Sequence, residues 1–404
     1  MSGESASRDL IRIEASITGL LPGTRDRRER LLARLADYSA AAIREARRLG
    51  PIEPSNAERT HVLEWLLRPV FICGHHRSGT TLLQSLLDGH PQVLVLPSEG
   101  TYFKSFTYVA RNVPTIRDMD RFAAEWIERF VDPNFEPHFR LGMSDASRTP
   151  AIEFARSLFG WHPALRGRVP SELVALLALA AAFRTTTAPS SAPHVWVEKT
   201  PRNEHYVGRL AALAGARFIQ VVRDPQATLA SLAAIYGANR MAFDAAAHAR
   251  DIGRSLHLAL ENSRAFVGRY LVVRYEDLVD DPAREVERVR QFLGIAPDAT
   301  LSVPTADGRP VRANSSFSAG EAGIIERMRH TIALPAEHSL LLGAYAGHAA
   351  SAFGYRLAKP AFLRSSAVRL RHWPRHAVRS SRGALGSVMR SLAVKRGGGG
   401  PADR

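Results

Sequence analysis

Short apolar runs alternate with longer stretches of helical rhythm through the middle of the chain. The runs are Val70-Phe71-Ile72-Cys73, Gln92-Val93-Leu94-Val95-Leu96, His194-Val195-Trp196-Val197, Arg217-Phe218-Ile219-Gln220-Val221-Val222 and Tyr270-Leu271-Val272-Val273-Arg274. Each is short, rich in β-branched or aromatic residues and followed by a polar turn, which predicts a buried parallel strand. Helices are expected at Leu82 to Leu87, Val207 to Ala214 (capped by Gly215), Gln226 to Tyr236, and Pro282 to Leu293 (stopped by Gly294). Strands that alternate with helices predict βαβ units. The fold class is therefore α/β: a three-layer, P-loop-like fold with a mostly parallel central sheet flanked by helices.

Residues 1–68 read as a packed helical extension. Leu10, Ile13, Ile17 and Leu20 mark a first helix that ends at Pro22-Gly23. Leu31, Leu32, Leu35, Tyr38, Ala42 and Ile43 mark a second, closed by Gly50-Pro51, and Ala57 to Leu67 a third. Residues 69–358 form the main domain, with a helical insertion at about 101–190 broken by Pro114, Pro133, Pro150 and Pro170. The insertion's aromatics, among them Tyr102, Phe103, Phe106, Tyr108, Trp126, Phe130, Phe135, Phe139, Phe154, Phe159 and Trp161, read chiefly as packing against the core, with an acceptor pocket as the alternative. Thr185 to Pro193 reads as a polar loop.

The turns after the strands carry the candidate chemistry. Ligands of open parallel sheets bind beyond the carboxyl ends of the strands, so Gly74–Thr81, Glu198–Thr200, Arg223–Asp224 and Tyr275–Asp277 are expected on one rim. Gly74-His75-His76-Arg77-Ser78-Gly79-Thr80-Thr81 joins a strand to a helix N-terminus. Backbone N–H groups and the helix dipole make such a turn an anion site. The turn resembles GxxxxGK[ST] but has Thr80 where a nucleoside triphosphatase has Lys, and Arg77 inside the loop. A phosphate-like group fits this pattern better than ATP, which leaves a P-loop small-molecule kinase as the alternative reading. Arg223, at a strand end, and Ser231, eight residues later, can hold a second anionic group. The competing reading makes Arg223 an ion-pair partner of Asp224 or Glu276.

The chain's 404 residues carry a net charge of +15 and one cysteine, Cys73. That excludes an intrachain disulfide, and neither cysteine nor an HExxH pattern offers a metal site. From Lys359 to Arg404, 11 Lys and Arg face one acid, Asp403, giving +10, so the rest of the chain carries only +5. Residues 359–404 therefore read as a basic, disordered tail suited to weak contact with an anionic membrane surface; specific nucleic-acid binding is not expected. The polar start MSGESASRDL has no apolar core. The strongly apolar run Leu173 to Phe183 has 11 residues, against ~20 for a membrane-spanning helix. A cytoplasmic location follows, with peripheral membrane attachment as its variant.

RSGTTLL at 77–83, EKTP at 198–201, VVRDPxxxxxS at 221–231 and RYEDL at 274–278, in this order, resemble the sulfotransferases that use 3′-phosphoadenosine 5′-phosphosulfate (PAPS). The layout looks closest to the tyrosylprotein branch and its bacterial relatives, and it covers roughly residues 69–295. The resemblance implies that Arg77, Ser78, Gly79, Thr80 and Thr81 hold the 5′-phosphosulfate and that Arg223 and Ser231 hold the 3′-phosphate. It implies Tyr275 near the nucleotide, Lys199 at the bridging or leaving oxygens, and Glu99 as general base, with His205 the second candidate. PAPS is then the co-substrate, no metal takes part, and a hydroxyl of a small molecule, lipid or glycan is the acceptor. The stretch after Glu99, Gly100-Thr101-Tyr102, lacks the Arg expected for an acidic peptide, and neither a membrane anchor nor an intrachain disulfide is expected, so a peptide tyrosine fits poorly.

Overall fold

The computed structural model describes residues 25–96, 99–100, 102–105, 116–131, 148–187, 193–238, 241–312, 321–325 and 334–358. The helix expected between Leu10 and Leu20, the aromatics Phe106, Tyr108, Phe135 and Phe139, and the tail from Lys359 lie outside the described residues.

Five strands form one parallel sheet: β1 (Pro69–Cys73), β2 (Val93–Val95), β3 (Val195–Lys199), β4 (Arg217–Val222) and β5 (Tyr270–Arg274). Their order is β2-β3-β1-β4-β5, so β1, first in the chain, lies at the centre. The chain fills one side of β1 and then crosses to the other. That reversal is where open parallel sheets leave a crevice for ligands. Ile72 pairs with Lys199 and Ile219, and Val222 with Arg274, so the strands end together along one rim.

Side chains of successive strand residues leave opposite faces of the sheet. The helices in chain order are α1 (Arg25–Leu49), α2 (Asn56–Leu66), α3 (Thr80–Leu87), α4 (Ile116–Val131), α5 (Thr149–Leu165), α6 (Val174–Thr187), α7 (Pro225–Ala238), α8 (Ala245–Ala265), α9 (Tyr275–Asp280), α10 (Pro282–Leu293) and α11 (Ala336–Ala352). Phe71, Cys73, Trp196, Phe218 and Tyr270 face one layer, built from α1, α2, α4, α5 and α6. Val70, Ile72, Val195, Val197, Ile219, Val221 and Val273 face the other, with α3, α9 and α10. A third cluster joins α7, α8 and α11. On the first face the rings form a ladder across the strands. Phe71 stacks on Phe218 at 5.6 Å, Phe218 on Tyr270 at 5.9 Å, and Trp196 meets Phe71 edge-on at 6.0 Å. Cross-strand aromatic pairs add stability beyond burial alone, and a fully buried Phe is itself worth roughly 1.5–3 kcal/mol.

Several local expectations change. Only one helical turn, Val207–Leu210, forms where a helix to Ala214 was expected. Gly215 does not cap it: a Cβ there would collide with the Leu67 carbonyl, so the residue is small to let the chain pass the end of α2. Helix α6 continues through Thr187, past the start of the expected loop, and the Thr185, Thr186 and Thr187 hydroxyls are accommodated in its last turn by donating to the carbonyls of Ala181, Ala182 and Phe183. Pro150 opens α5 rather than breaking it, since its ring suits the first helical turn. Tyr275–Asp277 is the first turn of α9, not a loop. Glu198 and Lys199 complete β3 and are buried rather than forming an exposed turn. Tyr102, Phe103, Trp126, Phe130, Phe154, Phe159 and Trp161 all join the core, so the packing reading of these aromatics holds. Among the described residues, no helix is long and apolar enough to cross a membrane.

Candidate active site

The loop after β1 is shaped by two glycines with different reasons to be there. Gly74 has φ +137°, and a Cβ on it would collide with the Val221 carbonyl of β4. Gly79 has φ +101°, and a Cβ on it would collide with the Tyr275 ring. Between them Arg77 takes a left-handed φ of +70°, a conformation that costs a non-glycine residue energy and concentrates at functional sites. Gly74 N–H donates to the Glu204 carboxylate at 2.9 Å, and Arg202 N–H donates to the Gly74 carbonyl at 2.9 Å. The loop is thus tied from below to the segment after β3. No side chain caps the N-terminus of α3, which follows Gly79 directly. Ser78 is buried with no partner for its Oγ, Thr80 is buried, and Thr81 is half-buried.

Four of the predicted residues meet at one place. Arg77 Nε donates to Ser231 Oγ at 3.1 Å, and Arg223 Nη1 donates to the Arg77 carbonyl at 3.0 Å. The Arg223 guanidinium lies 4.4 Å from the centre of the Tyr275 ring, a cation–π contact. The competing pairing of Arg223 with Asp224 or Glu276 does not form. Those acids are used elsewhere: Asp224 caps α7 at Gln226 N–H, and Glu276 accepts Asp224 N–H and the Tyr355 hydroxyl. Burial, and next the charge of Arg223, lower the Arg77 pKa to about 10. The charge of Arg223 beside Arg77 favours an anion at this place.

A second group lies at the end of β3. The Lys199 side chain is fully buried, and its Nζ is 2.5 Å from Glu99 Oε1. Glu99 keeps 18% of its side chain exposed. Its carbonyl accepts from Arg129 Nη1 of α4 at 2.5 Å. His205 is directed elsewhere: its Nδ1 accepts from Arg254 Nε of α8 at 3.3 Å. Burial, then Arg202 and Arg254, lower its pKa to about 4, leaving it neutral at pH 7 and weakly basic.

Two carboxylates to which the sequence reading gave no role are buried, Glu198 at the end of β3 and Glu204 just after it. Glu198 accepts Gly100 N–H at 2.8 Å, Asn203 Nδ2 at 2.7 Å, and the Thr200 hydroxyl. Burial outweighs these bonds and raises its pKa to about 7. Glu204 accepts the Ser255 hydroxyl at 2.6 Å as well as Gly74 N–H, and Gln220 Nε2 donates in turn to Ser255. The Tyr270 hydroxyl donates to Gln220 Oε1 at 2.5 Å and lies 3.8 Å from Cys73 Sγ. Cys73 is buried and burial raises its pKa, so it is an inert thiol. The available signal was a glutamine inside an apolar strand, since a buried amide demands partners. Among the described residues, no group of His, Cys, Asp and Glu is placed to hold a metal ion.

Residues 69–299 match the sulfotransferase family. Solved structures with similar architecture include the sulfotransferase domain of the Synechococcus PCC 7002 olefin synthase, at 22% identity and TM-score 0.42 over 72% of this chain and 97% of that one. Others are a sulfotransferase from Alicyclobacillus acidocaldarius, at 14% identity and TM-score 0.39 over 75% and 99%, and STF9 from Mycobacterium avium, at 16% identity and TM-score 0.35 over 66% and 74%. No curated protein matches. The family match spans the sheet, the glycine-bounded loop, Lys199 and the Arg223–Ser231 pair, which is more than half of the 404 residues, and on that ground the chain belongs to the sulfotransferase family.

Proposed function

We propose that this sulfotransferase takes its sulfuryl group from PAPS and passes it by in-line displacement to a hydroxyl of a small molecule, lipid or glycan. The observation that carries this reading is the meeting of Arg77, Ser231 and Arg223 beside the unpartnered Ser78 hydroxyl. A donor with a phosphate at each end fits such a site. The buried Ser78 Oγ calls for a partner, and the charge of Arg223 next to Arg77 favours an anionic one.

In this reading Arg77, Ser78, Gly79, Thr80 and Thr81 hold the 5′-phosphosulfate through backbone N–H groups, hydroxyls and the guanidinium. Arg223 and Ser231 hold the 3′-phosphate, and Tyr275 supports Arg223 from behind. PAPS supplies an activated sulfuryl group whose departure leaves charge on a phosphate oxygen. Lys199 and Arg77 stabilise that charge in this reading, and a donor of this kind is commonly worth about 3 kcal/mol of barrier. Glu99 takes the acceptor's proton. Its carboxylate sits beside Lys199 and keeps an exposed edge for an incoming hydroxyl. Positioning and charge stabilisation suffice for in-line transfer of this type.

The test is thermal stability and turnover in EDTA. A ligand at 100-fold its Kd adds about 2.7 kcal/mol of stability, so PAPS or its product 3′-phosphoadenosine 5′-phosphate (PAP) should raise Tm by several degrees without Mg²⁺. Sulfate-labelled PAPS should then transfer label to a member of a hydroxyl-acceptor panel. Stabilisation by Mg-ATP and none by PAP would instead support the kinase alternative.

A further inference from the structure

Glu198 is a buried carboxylate for which the transfer chemistry has no use, yet its hydrogen bonds lead to the segment that carries Glu99. Only 2% of it is exposed. A carboxylate buried so deeply is retained where donors reach both of its oxygens. One of those donors is the backbone N–H of Gly100, at 2.8 Å. The next residue of β3, Lys199, holds the Glu99 carboxylate itself, at 2.5 Å. Two consecutive residues of one strand therefore grip two consecutive residues of the facing segment, one by a backbone amide and one by an ion pair. Together the two grips restrain rotation of residues 99–100 between them. Gly100 is shaped to this contact: a Cβ there would lie 2.5 Å from Glu198 Oε1 and 3.1 Å from its Cδ.

We propose that Glu198 is a positioning residue: by anchoring Gly100 N–H it fixes the Glu99 carboxylate beside Lys199, in the orientation from which Glu99 takes the acceptor's proton. The inference rests on the sulfuryl-transfer reading, because it takes Glu99 as the base. Lys199 Nζ tethers the Glu99 carboxylate and Arg129 Nη1 the Glu99 carbonyl. The Gly100 N–H anchor on Glu198 holds the other edge of that same peptide plane, the edge nearest β3. Misplacing a catalytic group by about 1 Å is enough to cost roughly 10²-fold in rate.

The experiment compares the full-length protein with Glu198→Met, which removes the acceptor, and Gly100→Ala. Three quantities are read: amide exchange of the peptide containing Gly100, PAP affinity by calorimetry, and the rate of PAP release from PAPS with water as acceptor. In both variants the amide of residue 100 should exchange at least about tenfold faster and PAP release should slow roughly 10- to 100-fold, while the Kd for PAP stays within about twofold. A purely structural role would lower binding and turnover together. Should Glu198→Met fail to fold, Gly100→Ala decides, because it displaces the segment and leaves the buried carboxylate in place. Unchanged PAP release in a folded variant overturns the proposal while leaving the sulfuryl-transfer reading intact. A wild-type protein that neither binds PAP nor releases it from PAPS overturns that reading, and the proposal with it.

Discussion

Arg77 Nε donates to Ser231 Oγ across 3.1 Å, although the two residues stand 154 positions apart. The contact joins the loop after β1 to the second turn of α7 and brings the two expected anion sites to one place. If a 3′-phosphate belongs there, removing its guanidinium should cost about 2 kcal/mol of PAP affinity, roughly 30-fold in Kd, and Ser231→Ala about 1 kcal/mol. Calorimetry with Arg223→Ala and Ser231→Ala checks this. Adenosine 5′-phosphosulfate, which lacks the 3′-phosphate, should bind both variants as it binds the wild type. Equal losses for both nucleotides would assign these residues elsewhere.

Gly79→Ala should destabilise the fold by about 1–3 kcal/mol from backbone strain alone, with more from the collision with the Tyr275 ring. The two causes separate in a double-mutant cycle. Tyr275→Ala should relieve the collision and leave the φ +101° penalty in place. Denaturant midpoints of the four proteins give the answer, and strict additivity would mean that the added methyl group does not meet the ring.

His75 should make the protein acid-sensitive. Burial, and next its neighbour His76, lower its pKa from 6.5 to about 3. The folded state therefore refuses a proton that the unfolded chain accepts. The stability from this group is complete above pH 6.5 and falls as pH drops from 6.5 towards 3, at about 1.4 kcal/mol per pH unit. Glu198, whose pKa burial raises to about 7, acts with the opposite sign, since its contribution is lost as pH rises. Comparing wild type with His75→Gln isolates the histidine. The stability gap between them should narrow by about 2 kcal/mol between pH 7 and pH 5, as read from urea unfolding at both values.

Glu99→Gln should lower kcat for sulfuryl transfer by ~10²–10⁴, the usual contribution of a general base, with PAP affinity changed little. His205→Ala should leave kcat within a few-fold, because its imidazole is turned towards Arg254. Turnover of labelled PAPS by the two variants checks this, and the reverse ranking would move the base role to His205.

Much of the fold was legible along the chain. β4 and β5 form at Arg217–Val222 and Tyr270–Arg274, and α10 ends at Gly294, whose φ is +67°. These elements carry their own signals: β-branched runs, Pro at a helix start, Gly at its end. The expectations that failed depended on neighbours. The turn expected at Glu198-Lys199 is buried strand because Gly100, Thr200, Asn203 and Glu99 supply partners for both charges. Gly215 looked like a cap, and only the Leu67 carbonyl beside it gives its reason.

What the residues determined alone was the kind of chemistry. Two glycines around an arginine and a serine, followed by two threonines that open a helix, make an anion site from local properties, the backbone amides and the helix dipole. The tertiary structure decided which charges share a pocket and which carboxylates are inside. Arg77 meets Ser231 and Arg223 because β1 and β4 are adjacent, and Glu198 and Glu204 are buried because the loops they hold fold over them. Burial and long-range contact are sums over the whole packed chain, so no stretch of sequence read by itself contains them.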